Sequence, residues 1–497
     1  MAKLRSINPA TGKERGTMKI ATKVEVEEAV KRARIGLEKW QEVGLSKRCQ
    51  VMLKAARLLR KEAEGLGKMI TKEMGKPLVE AEDEVMAAAD GVEYVVKEAK
   101  QILVDEVVRP KLPQTKLERM KRLGVENALE YLSRRGKKMV SVVRYDPVGV
   151  VAAIKPWNYP VDTAMLALAP ALVAGNSLVF KPSEYVSLVS NQLVKLLWQA
   201  GVPRDVLQVL HGRGQVGAML VDTEVDMVTF TGSTEVGKEI AEKCSKRLIK
   251  YVLELGGSSP ALILRDADLE LAVNGVLWGR FANCGQVCNA IKRVFVEEVV
   301  AEQFIEKLVE ATGKLRVGNP LDKGVDIGPL VSLKQLRKLQ DQVTRGVVQG
   351  GRILVGGRRL REEPYASGFF HEPTVMVHVS SKQAIMQEEI FGPVLAVCVV
   401  DNLKQAINQA DENRYGLTAA VYTKSKRKAE QVMRQLKVGS VYVNDSSVLF
   451  PETPWSGLKE SGVGVGAGKH GIWEFTDKKH MHINYSGDKR RDWWFPY

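Results

Sequence analysis

From Val148 onwards the sequence alternates between short apolar segments and helical segments, and this alternation restricts the fold more than any other feature. The apolar segments are 148–154, 177–180, 206–210, 227–230 and 261–264. Segments 186–199 and 235–249 are typical of the intervening helices, and a second series of strands and helices runs from Arg293 to about Tyr442. Strands that alternate with helices favour a parallel sheet covered on both faces. The sequence therefore predicts an α/β protein.

The first hundred residues predict helices instead. Apolar residues recur at helical spacing between charged ones over 24–40 and again over 47–66. The chain has 497 residues, 45% of them hydrophobic, which is enough for roughly three domains with a large core. This composition excludes a disordered or low-complexity protein.

Positive charge is concentrated in one segment. The formal net charge is +15, and residues 109–144 hold eleven Lys and Arg but three Glu, so this basic segment carries eight of the fifteen charges. Charged runs are usually solvated surfaces. The segment has no interleaved aromatic residues, which argues against nucleic-acid binding. Peripheral attachment to an anionic membrane, together with the aromatic tail 493–497, is the less favoured alternative.

The cysteines and the hydrophobic segments predict a protein of the cytoplasm. Five cysteines in a chain of this length do not indicate a disulfide framework. The first thirteen residues contain no apolar segment typical of a secretory signal. The most apolar stretch, 164–180, is interrupted by Pro170 and Gly175 and falls short of the ~20 residues that a membrane-spanning helix needs.

Residues 281–290, with the sequence FANCGQVCNA, contain a candidate nucleophile, Cys288. A single cysteine, taken alone, is more often a small buried apolar residue than a reactive thiol. Cys284 lies four residues earlier. A reversible disulfide between the two is one hypothesis, but the strict geometry of disulfides favours unpaired thiols.

Two other motifs contribute a carboxylate and an amide. In LELGGSSP (253–260), Glu254 ends an apolar segment, where a carboxylate either caps a turn or acts as an acid–base group with a perturbed pKa. In PWNYP (156–160), Asn158 offers an amide NH2 that could donate to a developing oxyanion. The alternative for Asn158 is a turn closed by its own side chain.

The order of these motifs resembles that of the aldehyde dehydrogenase superfamily, and the resemblance covers essentially the whole chain. The motifs that carry it are at 8–12, 156–160, 181–184, 230–237, 253–257, 281–288, 388–394 and 454–462. The resemblance implies an NAD(P)-dependent enzyme that oxidises an aldehyde to a carboxylic acid.

The resemblance also implies the catalytic roles. Cys288 matches the nucleophile, whose thiolate attacks the aldehyde carbonyl to form a thiohemiacetal. Asn158 and the Cys288 backbone N–H match the oxyanion hole. Hydride transfer to the nicotinamide leaves a thioester, and Glu254 matches the general base that activates water to hydrolyse it.

NAD is the favoured cofactor, with NADP as the alternative, and no metal is expected. Gly232 and Ser233 match the start of the helix near the pyrophosphate, where free N–H groups favour an anion. Lys181 and Glu184 match positions at the adenosine ribose, and a carboxylate there would accept from a 2′-hydroxyl and repel a 2′-phosphate. Glu389 and Phe391 match residues at the nicotinamide ribose and ring. The other cofactor-binding candidates are Pro156, Trp157, Ser183, Gly214, Phe230 and Leu255.

The implied architecture is a Rossmann-type cofactor domain, an α/β catalytic domain and a small β oligomerisation arm. The cofactor domain spans 1–123 and 147–255, and the catalytic domain spans 256–444. Residues 124–146 and 478–497 form the arm and tail, and 445–477 return to the domain interface. Strands at 138–145 and 481–485 would complete a sheet across a homodimer or a homotetramer.

The sequence departs from the family pattern at three places near the site. Ser258 stands where Lys or Asn is usual, and Lys155 precedes PWNYP where a small or apolar residue is commoner. Segment 460–471, ESGVGVGAGKHG, lacks the usual Arg-Glu pair. These departures leave the details of proton transfer open.

The substrate also stays open between an aliphatic or aromatic aldehyde and a semialdehyde. Arg280 is the candidate for binding a semialdehyde carboxylate. The residues expected to line the substrate tunnel are Trp157, Pro160, Val161, Met165, Val287, Asn289 and the loop 446–455, with Met165, Phe450 and Trp455 favouring an apolar chain. Two other functions compete: a CoA-acylating dehydrogenase, against which Glu254 counts, and a non-catalytic binding protein of the same fold, against which the complete catalytic set counts.

Overall fold

The computed structural model describes residues 2–108 and 139–485. The predictions for 109–138 and 486–497, which include most of the basic segment and the aromatic tail, lie outside the described residues. The chain begins with an antiparallel pair of strands and four helices. These elements are β1 (Lys3–Ile7), β2 (Glu14–Lys19), α1 (Lys23–Glu42), α2 (Leu45–Lys61), α3 (Ala63–Met74) and α4 (Leu78–Ile102).

The single helix predicted over 47–66 is two helices in the structure. The backbone leaves the helical region at Glu62 (φ −98°, ψ 12°), so α2 ends at Lys61 and α3 begins at Ala63. Both helices pack against α4. The turn at Glu62 allows each of them to place its apolar face on the same long helix.

The first large sheet has six strands in the order β19-β9-β8-β5-β6-β7, and all of them are parallel except β19. Its strands are β5 (Val150–Lys155), β6 (Ser177–Pro182), β7 (Leu207–Val209), β8 (Met227–Thr231), β9 (Lys250–Glu254) and β19 (Gly462–Val463). The helices between them are α5 (Asp162–Ala174), α6 (Ser187–Ala200), α7 (Gly214–Val221) and α8 (Thr234–Arg247).

Both faces of this sheet are buried, as the alternation predicts. Val151 and Ala153 of β5 belong to the apolar core that includes α2 to α6. Val150, Ala152 and Ile154 of the same strand belong to the core formed with α1, α7 and α8. Successive side chains on a strand point to opposite faces, so each face of the sheet has its own layer of helices.

The second large sheet has seven strands in the order β12-β13-β14-β11-β10-β16-β17, and its edge strand β12 is antiparallel. Its strands are β10 (Ser259–Ile263), β11 (Ile291–Glu297), β12 (Arg352–Val355), β13 (Thr374–Val377), β14 (Val394–Val400), β16 (Thr418–Tyr422) and β17 (Ser440–Val443). Its helices are α9 (Leu269–Phe281), α10 (Glu298–Gly313), α11 (Leu333–Val348), α12 (Ala384–Gln387), α13 (Leu403–Asp411) and α14 (Lys426–Gln435). The short strands β15 (Tyr415–Gly416) and β18 (Leu458–Lys459) form a separate pair.

The predicted arm strands pair within the chain. Strand β4 (Met139–Pro147) runs antiparallel to β20 (Thr476–Asn484), which follows helix α15 (Gly468–Glu474). This pairing is longer than the predicted one between 138–145 and 481–485. A third strand that the sequence did not indicate, β3 (Glu106–Val108), pairs with the other edge of β4. Among the helices that the structure describes, none is long and apolar enough to cross a bilayer.

Candidate active site

The candidate site lies where the strand order of the first sheet reverses. Strands β6 and β7 lie on one side of β5, and β8 and β9 lie on the other. In open α/β sheets, ligands bind outside the carboxyl ends of the strands at such a reversal. The predicted residues at these ends are Pro156, Trp157 and Asn158 after β5, Lys181, Ser183 and Glu184 at β6, Gly232 and Ser233 after β8, and Glu254 and Leu255 at β9.

Cys288 lies on the loop between α9 and β11, at the amino end of a strand of the second sheet. Asn283 and Cys284 in this loop have φ values of 50° and 57°, which residues with a side chain rarely adopt. Cys284 points into the core of the second sheet and is buried. Both Cys284 and Cys288 are free thiols in the structure.

Arg280 fixes the shape of this loop. Its guanidinium donates to the carbonyl oxygens of Gly285 (3.0 Å) and Ile390 (3.2 Å), and also to that of Gly392. Arg280 is fully buried. The prediction that it binds a substrate carboxylate is therefore wrong, because its charge is used to join two loops of the protein.

Lys292 provides a positive charge beside the Cys288 thiol. Its Nζ donates to the carbonyl oxygens of Cys288 (2.6 Å) and Val287 (3.0 Å), and it lies 3.7 Å from the Glu389 carboxylate. Burial raises the pKa of Cys288 to about 11, and the Lys292 charge acts in the opposite direction. Burial also lowers the pKa of Lys292 to about 8. The Lys292 cation therefore favours the thiolate in a site that otherwise disfavours it.

Asn158 is held in place by the nucleophile loop. Its Nδ2 donates to the carbonyl oxygen of Gln286 (2.9 Å), and its own carbonyl oxygen accepts from Asn283 Nδ2 (3.0 Å). The side chain is buried. Because an amide nitrogen carries two hydrogens, one hydrogen stays available after the bond to Gln286.

Glu254 is a buried carboxylate beside a buried lysine. Both carboxylate oxygens are inaccessible to solvent, and neither makes a hydrogen bond of good geometry to a described residue. Burial raises the pKa of Glu254 well above its ordinary value, and Lys155 and Trp455 act in the opposite direction. A proton acceptor of this kind is typical of a catalytic site.

One cavity of about 180 Å³ brings together part of this set, whereas Asn158 and Lys292 are not among its lining residues. Cys288, Glu254 and Lys155 all contribute to its wall. The ends of β5, β8 and β9 form one side, and the first turns of α5 and the last turn of α9 form the other. The remaining wall includes Trp455 and neighbouring residues of the predicted loop 446–455.

The aromatic candidates for the cofactor site lie together. The rings of Trp157 and Phe391 meet edge to face with centroids 5.6 Å apart, and Trp157 makes a similar contact with Tyr185 at 6.2 Å. Glu389 accepts a hydrogen bond from the Gly257 N–H at 3.1 Å. This bond links segment 388–394 to the turn after Glu254.

The crevice beside β6 contains two buried basic side chains, Lys181 and His211. Lys181 is buried at the end of β6, where burial lowers its pKa and the nearby Glu184 carboxylate acts in the opposite direction. His211 is also buried, and neither of its ring nitrogens bonds to a described residue. Burial, assisted by the Lys181 charge, lowers the pKa of His211 to about 4, so this imidazole is neutral. A buried imidazole with one unused donor and one unused acceptor fits a ligand with polar groups, such as an adenosine ribose.

Two helix starts open toward the same crevice. Ser233 caps α8 by accepting from the Val236 N–H, and a side chain at Gly232 would meet the Phe230 ring. A Cβ added to Gly214, at the start of α7, would meet no atom within 4 Å. These free N–H groups and the open space fit the phosphates of a dinucleotide.

Comparisons with known proteins agree with this arrangement. The aldehyde dehydrogenase family model matches residues 2–481. The betaine aldehyde dehydrogenase of Bacillus subtilis (strain 168) is 34% identical over 482 residues, which cover 96% of this chain and 93% of that protein. The chain belongs to the aldehyde dehydrogenase family.

Solved structures of aldehyde dehydrogenases and related enzymes have the same fold. Betaine aldehyde dehydrogenase from Staphylococcus aureus, in complex with NAD+, is similar with a TM-score of 0.91 and 32% identity, covering 99% of this chain and 93% of that one. An NADP-dependent enzyme from Escherichia coli is similar with a TM-score of 0.89 and 31% identity, covering 97% of this chain and 95% of that one. The predicted fold class is confirmed, as is the prediction of an aldehyde dehydrogenase that uses NAD, with NADP as the alternative.

The substrate side of this aldehyde dehydrogenase differs from the sequence prediction. Val287, Asn289 and Trp455 line the cavity as expected. Met165 is buried in the core of the first sheet, and Phe450 is 59% exposed to solvent. Trp157, Pro160 and Val161 are not part of the cavity wall either.

Sequence reasoning missed most of the wall that the helices provide. The missed residues are Tyr159, Asp162, Thr163, Leu166, Ala167, Trp278, Gly279 and Ala282. For the residues on α5 and α9, helical spacing is the signal that could have identified them, because residues three and four apart lie on one helix face. Tyr159 and Ala282 lie just outside these helices. The described residues contain no cluster of metal-ligating side chains.

Proposed function

We propose that this aldehyde dehydrogenase converts an aldehyde, NAD+ and water to a carboxylic acid through a thioester on Cys288, which is hydrolysed with Glu254 as the base. NADP+ is the alternative cofactor. The main observation behind the proposal is that Cys288 and Glu254 share one cavity. Cys288 comes from the second sheet and Glu254 from the first, yet both side chains line the same space of about 180 Å³.

Acylation begins with the Cys288 thiolate, which the Lys292 cation favours over the thiol. The sulfur forms a bond to the carbonyl carbon, and the electron pair of the C=O bond moves onto the oxygen. The remaining amide hydrogen of Asn158 and the backbone N–H of Cys288 stabilise that oxyanion. One such donor contributes about 2.7–4 kcal/mol to the stability of the transition state.

The bound nicotinamide cofactor supplies the hydride acceptor. Trp157 and Phe391 provide an apolar wall on that side of the nucleophile, and Glu389 is anchored there by the Gly257 N–H. Lys181, Glu184 and Ser233 would bind the sugar and phosphate portions. The other candidates, Pro156, Ser183, Gly214, Phe230, Gly232 and Leu255, border the same strand ends and helix starts.

Deacylation requires a base and a leaving group. Glu254 takes a proton from water while the water oxygen bonds to the thioester carbon, and Cys288 leaves as a thiolate when the C–S bond breaks. A nearly unsolvated carboxylate is a strong proton acceptor, because burial raises its affinity for protons. The buried position of Glu254 supports this role.

Replacing Cys288 with Ala tests the proposal directly. We expect the purified variant to bind cofactor and to produce no NADH with any aldehyde in a small panel. Cys244→Ala is the matched control, because Cys244 is a buried free thiol on α8 that does not line the cavity. Intact aldehyde oxidation by Cys288→Ala would reject the proposal, and an acyl-CoA product formed only with added CoA would favour the acylating alternative.

The substrate class follows from the charge of the cavity wall. Asp162 lines the cavity and forms no ion pair with a described residue, and burial raises its pKa to about 7. The surrounding wall is aromatic and aliphatic, with Tyr159, Leu166, Trp278 and Trp455. The wall has two acidic groups, Asp162 and Glu254, and one basic group, Lys155. This excess of acidic groups disfavours an anionic substrate, so we propose an aldehyde with an uncharged aliphatic or aromatic chain rather than a semialdehyde.

A kinetic panel tests the substrate class. We expect kcat/KM to be higher for hexanal and benzaldehyde than for succinic semialdehyde. Asp162→Asn should reduce the ratio of these kcat/KM values by about tenfold, which corresponds to about 1.4 kcal/mol. Thr163→Val, the neighbouring cavity residue without a charge, is the control. A preference for succinic semialdehyde in the wild-type enzyme would exclude this substrate class.

A further inference from the structure

Lys155 and Glu254 lie in one row across the first sheet. Residue 154 is paired with Phe230 between β5 and β8, and Thr231 is paired with Glu254 between β8 and β9. Side chains one position apart point to opposite faces, so Lys155, Thr231 and Glu254 share the face that α5 covers. The row lies at the carboxyl ends of the strands, beside the cavity that contains Cys288.

Lys155 is buried without a carboxylate partner. Its side chain is 6% exposed, and its Nζ donates to Thr229 Oγ1 (2.9 Å) and Thr231 Oγ1 (3.2 Å). Within residues 2–108 and 139–485, no carboxylate lies within ion-pair distance of it. An ammonium group has three hydrogens, so the two threonines leave one for another acceptor. Burying a lysine ammonium group without a paired carboxylate lowers the stability of the folded protein. Lys155 therefore has a purpose other than stability.

The cavity offers no other positive charge to Glu254. Among the described residues that line it, Lys155 is the only cation. A Cβ at Gly466 would lie 3.0 Å from Glu254 Oε1, so position 466 brings no longer side chain to the carboxylate. Among the described residues of the wall, Lys155 is therefore the one group whose positive charge can favour the Glu254 carboxylate.

We propose that Lys155 is a positioning residue whose ammonium charge keeps the Glu254 carboxylate ionised before deacylation. This inference rests on the proposed hydrolytic function. The protons balance as follows: the water proton moves to the Glu254 carboxylate while Lys155 stays an ammonium ion. Glu254 then loses that proton to solvent before the next turnover.

The titration behaviour of the pair supports this role. Burial lowers the pKa of Lys155 to about 7, and the Glu254 charge acts against that shift. Burial raises the pKa of Glu254, and Lys155 lowers it. The other titratable groups on the cavity wall are Cys288 on the nucleophile loop and Tyr159 and Asp162 at the start of α5.

Two variants of Lys155 separate charge from hydrogen bonding. Lys155→Met removes both, and Lys155→Gln retains an amide that can donate to the threonines. With hexanal as the substrate, we expect both variants to give a full pre-steady-state burst of NADH and then a steady state slower by about tenfold, the change that one pKa unit produces. The acidic limb of the kcat profile should move to higher pH, because loss of the cation makes Glu254 harder to ionise.

A double variant tests whether Lys155 acts through Glu254. Lys155→Met combined with Glu254→Gln should be no slower in steady state than Glu254→Gln alone, since the base is already missing. If the rate losses of the two single variants multiply in the double variant, or if Lys155→Gln keeps full activity, Lys155 has a structural role. Either result would overturn the proposal. A raised KM for succinic semialdehyde with unchanged kcat for hexanal would overturn it in favour of substrate binding. Absence of NADH formation by the wild-type enzyme with any aldehyde would instead reject the proposed function.

Discussion

At the scale of single residues, Glu184 is the group that we expect to select between the two cofactors. It is the first residue of a short helical turn after β6, and the Ser183 hydroxyl accepts a hydrogen bond within that turn. Burial lowers the pKa of Lys181, and Glu184 lies near enough for its charge to oppose that shift. The carboxylate is therefore fixed at the carboxyl end of a sheet strand, where an adenosine ribose would lie.

Replacing Glu184 with Gln should increase the use of NADP+. The carboxylate repels a 2′-phosphate, and its loss should raise the ratio of kcat/KM for NADP+ to that for NAD+ by about tenfold, which corresponds to about 1.4 kcal/mol. Steady-state kinetics with one aldehyde and both cofactors would measure this ratio. Glu235→Gln, which removes an acid from the first turn of α8, is the control. An unchanged ratio in Glu184→Gln would contradict the assignment.

At the scale of elements, the start of α5 depends on a buried ion pair. Lys76 Nζ lies 2.6 Å from Glu84 Oε2, and both side chains are fully buried. The other oxygen of Glu84 accepts from the backbone N–H groups of Val161 and Asp162. The Lys76 ammonium also lies 3.3 Å from the centre of the Tyr159 ring. This pair therefore connects α4 to the helix that forms one wall of the cavity.

Removing Lys76 should destabilise the protein. Lys76→Met leaves a buried charge on Glu84 without its cation, which lowers the free energy of unfolding by about 3–5 kcal/mol. Urea denaturation followed by circular dichroism would measure the loss, and Lys76→Met with Glu84→Gln should recover part of it. Lys68→Met breaks an exposed ion pair with Glu64 on α3 and should change stability little. If Lys76→Met and Lys68→Met lowered the free energy of unfolding equally, the buried ion pair would not have the stabilising role that we assign to it.

At the scale of the whole molecule, the two sheets meet where β9 runs into β10 through Gly256 and Gly257. A Cβ at Gly257 would lie 2.8 Å from the Cys288 carbonyl oxygen, so only glycine permits the strand to pass this close to the nucleophile loop. The carboxyl end of one sheet thus faces the amino end of β11. The cavity exists because of this junction, and neither sheet could form it alone.

The assembly of the enzyme is a prediction at this scale. We propose a homodimer or homotetramer that forms through the arm, with β3 and β20 as its outer strands among the described residues. Outer strands readily pair with another chain, and Val107 on β3 is 60% exposed. Val107→Lys should therefore weaken association, as measured by light scattering over a series of concentrations. Val299→Lys, at a 73% exposed position on α10, is the control. Weaker association in both variants, or in neither, would contradict the proposal.

The sequence by itself determined the class of the enzyme and predicted its central chemical groups. Cys288, Glu254 and Asn158 stand in local motifs, and the alternation of strands and helices predicts parallel sheets, because both signals depend on neighbouring residues. Only the tertiary structure decided which side chains accompany them. Arg280 joins two loops of the protein, and Asp162 and Lys155 line the same cavity as Glu254. These roles depend on burial and on strand register between distant segments, which no local pattern contains.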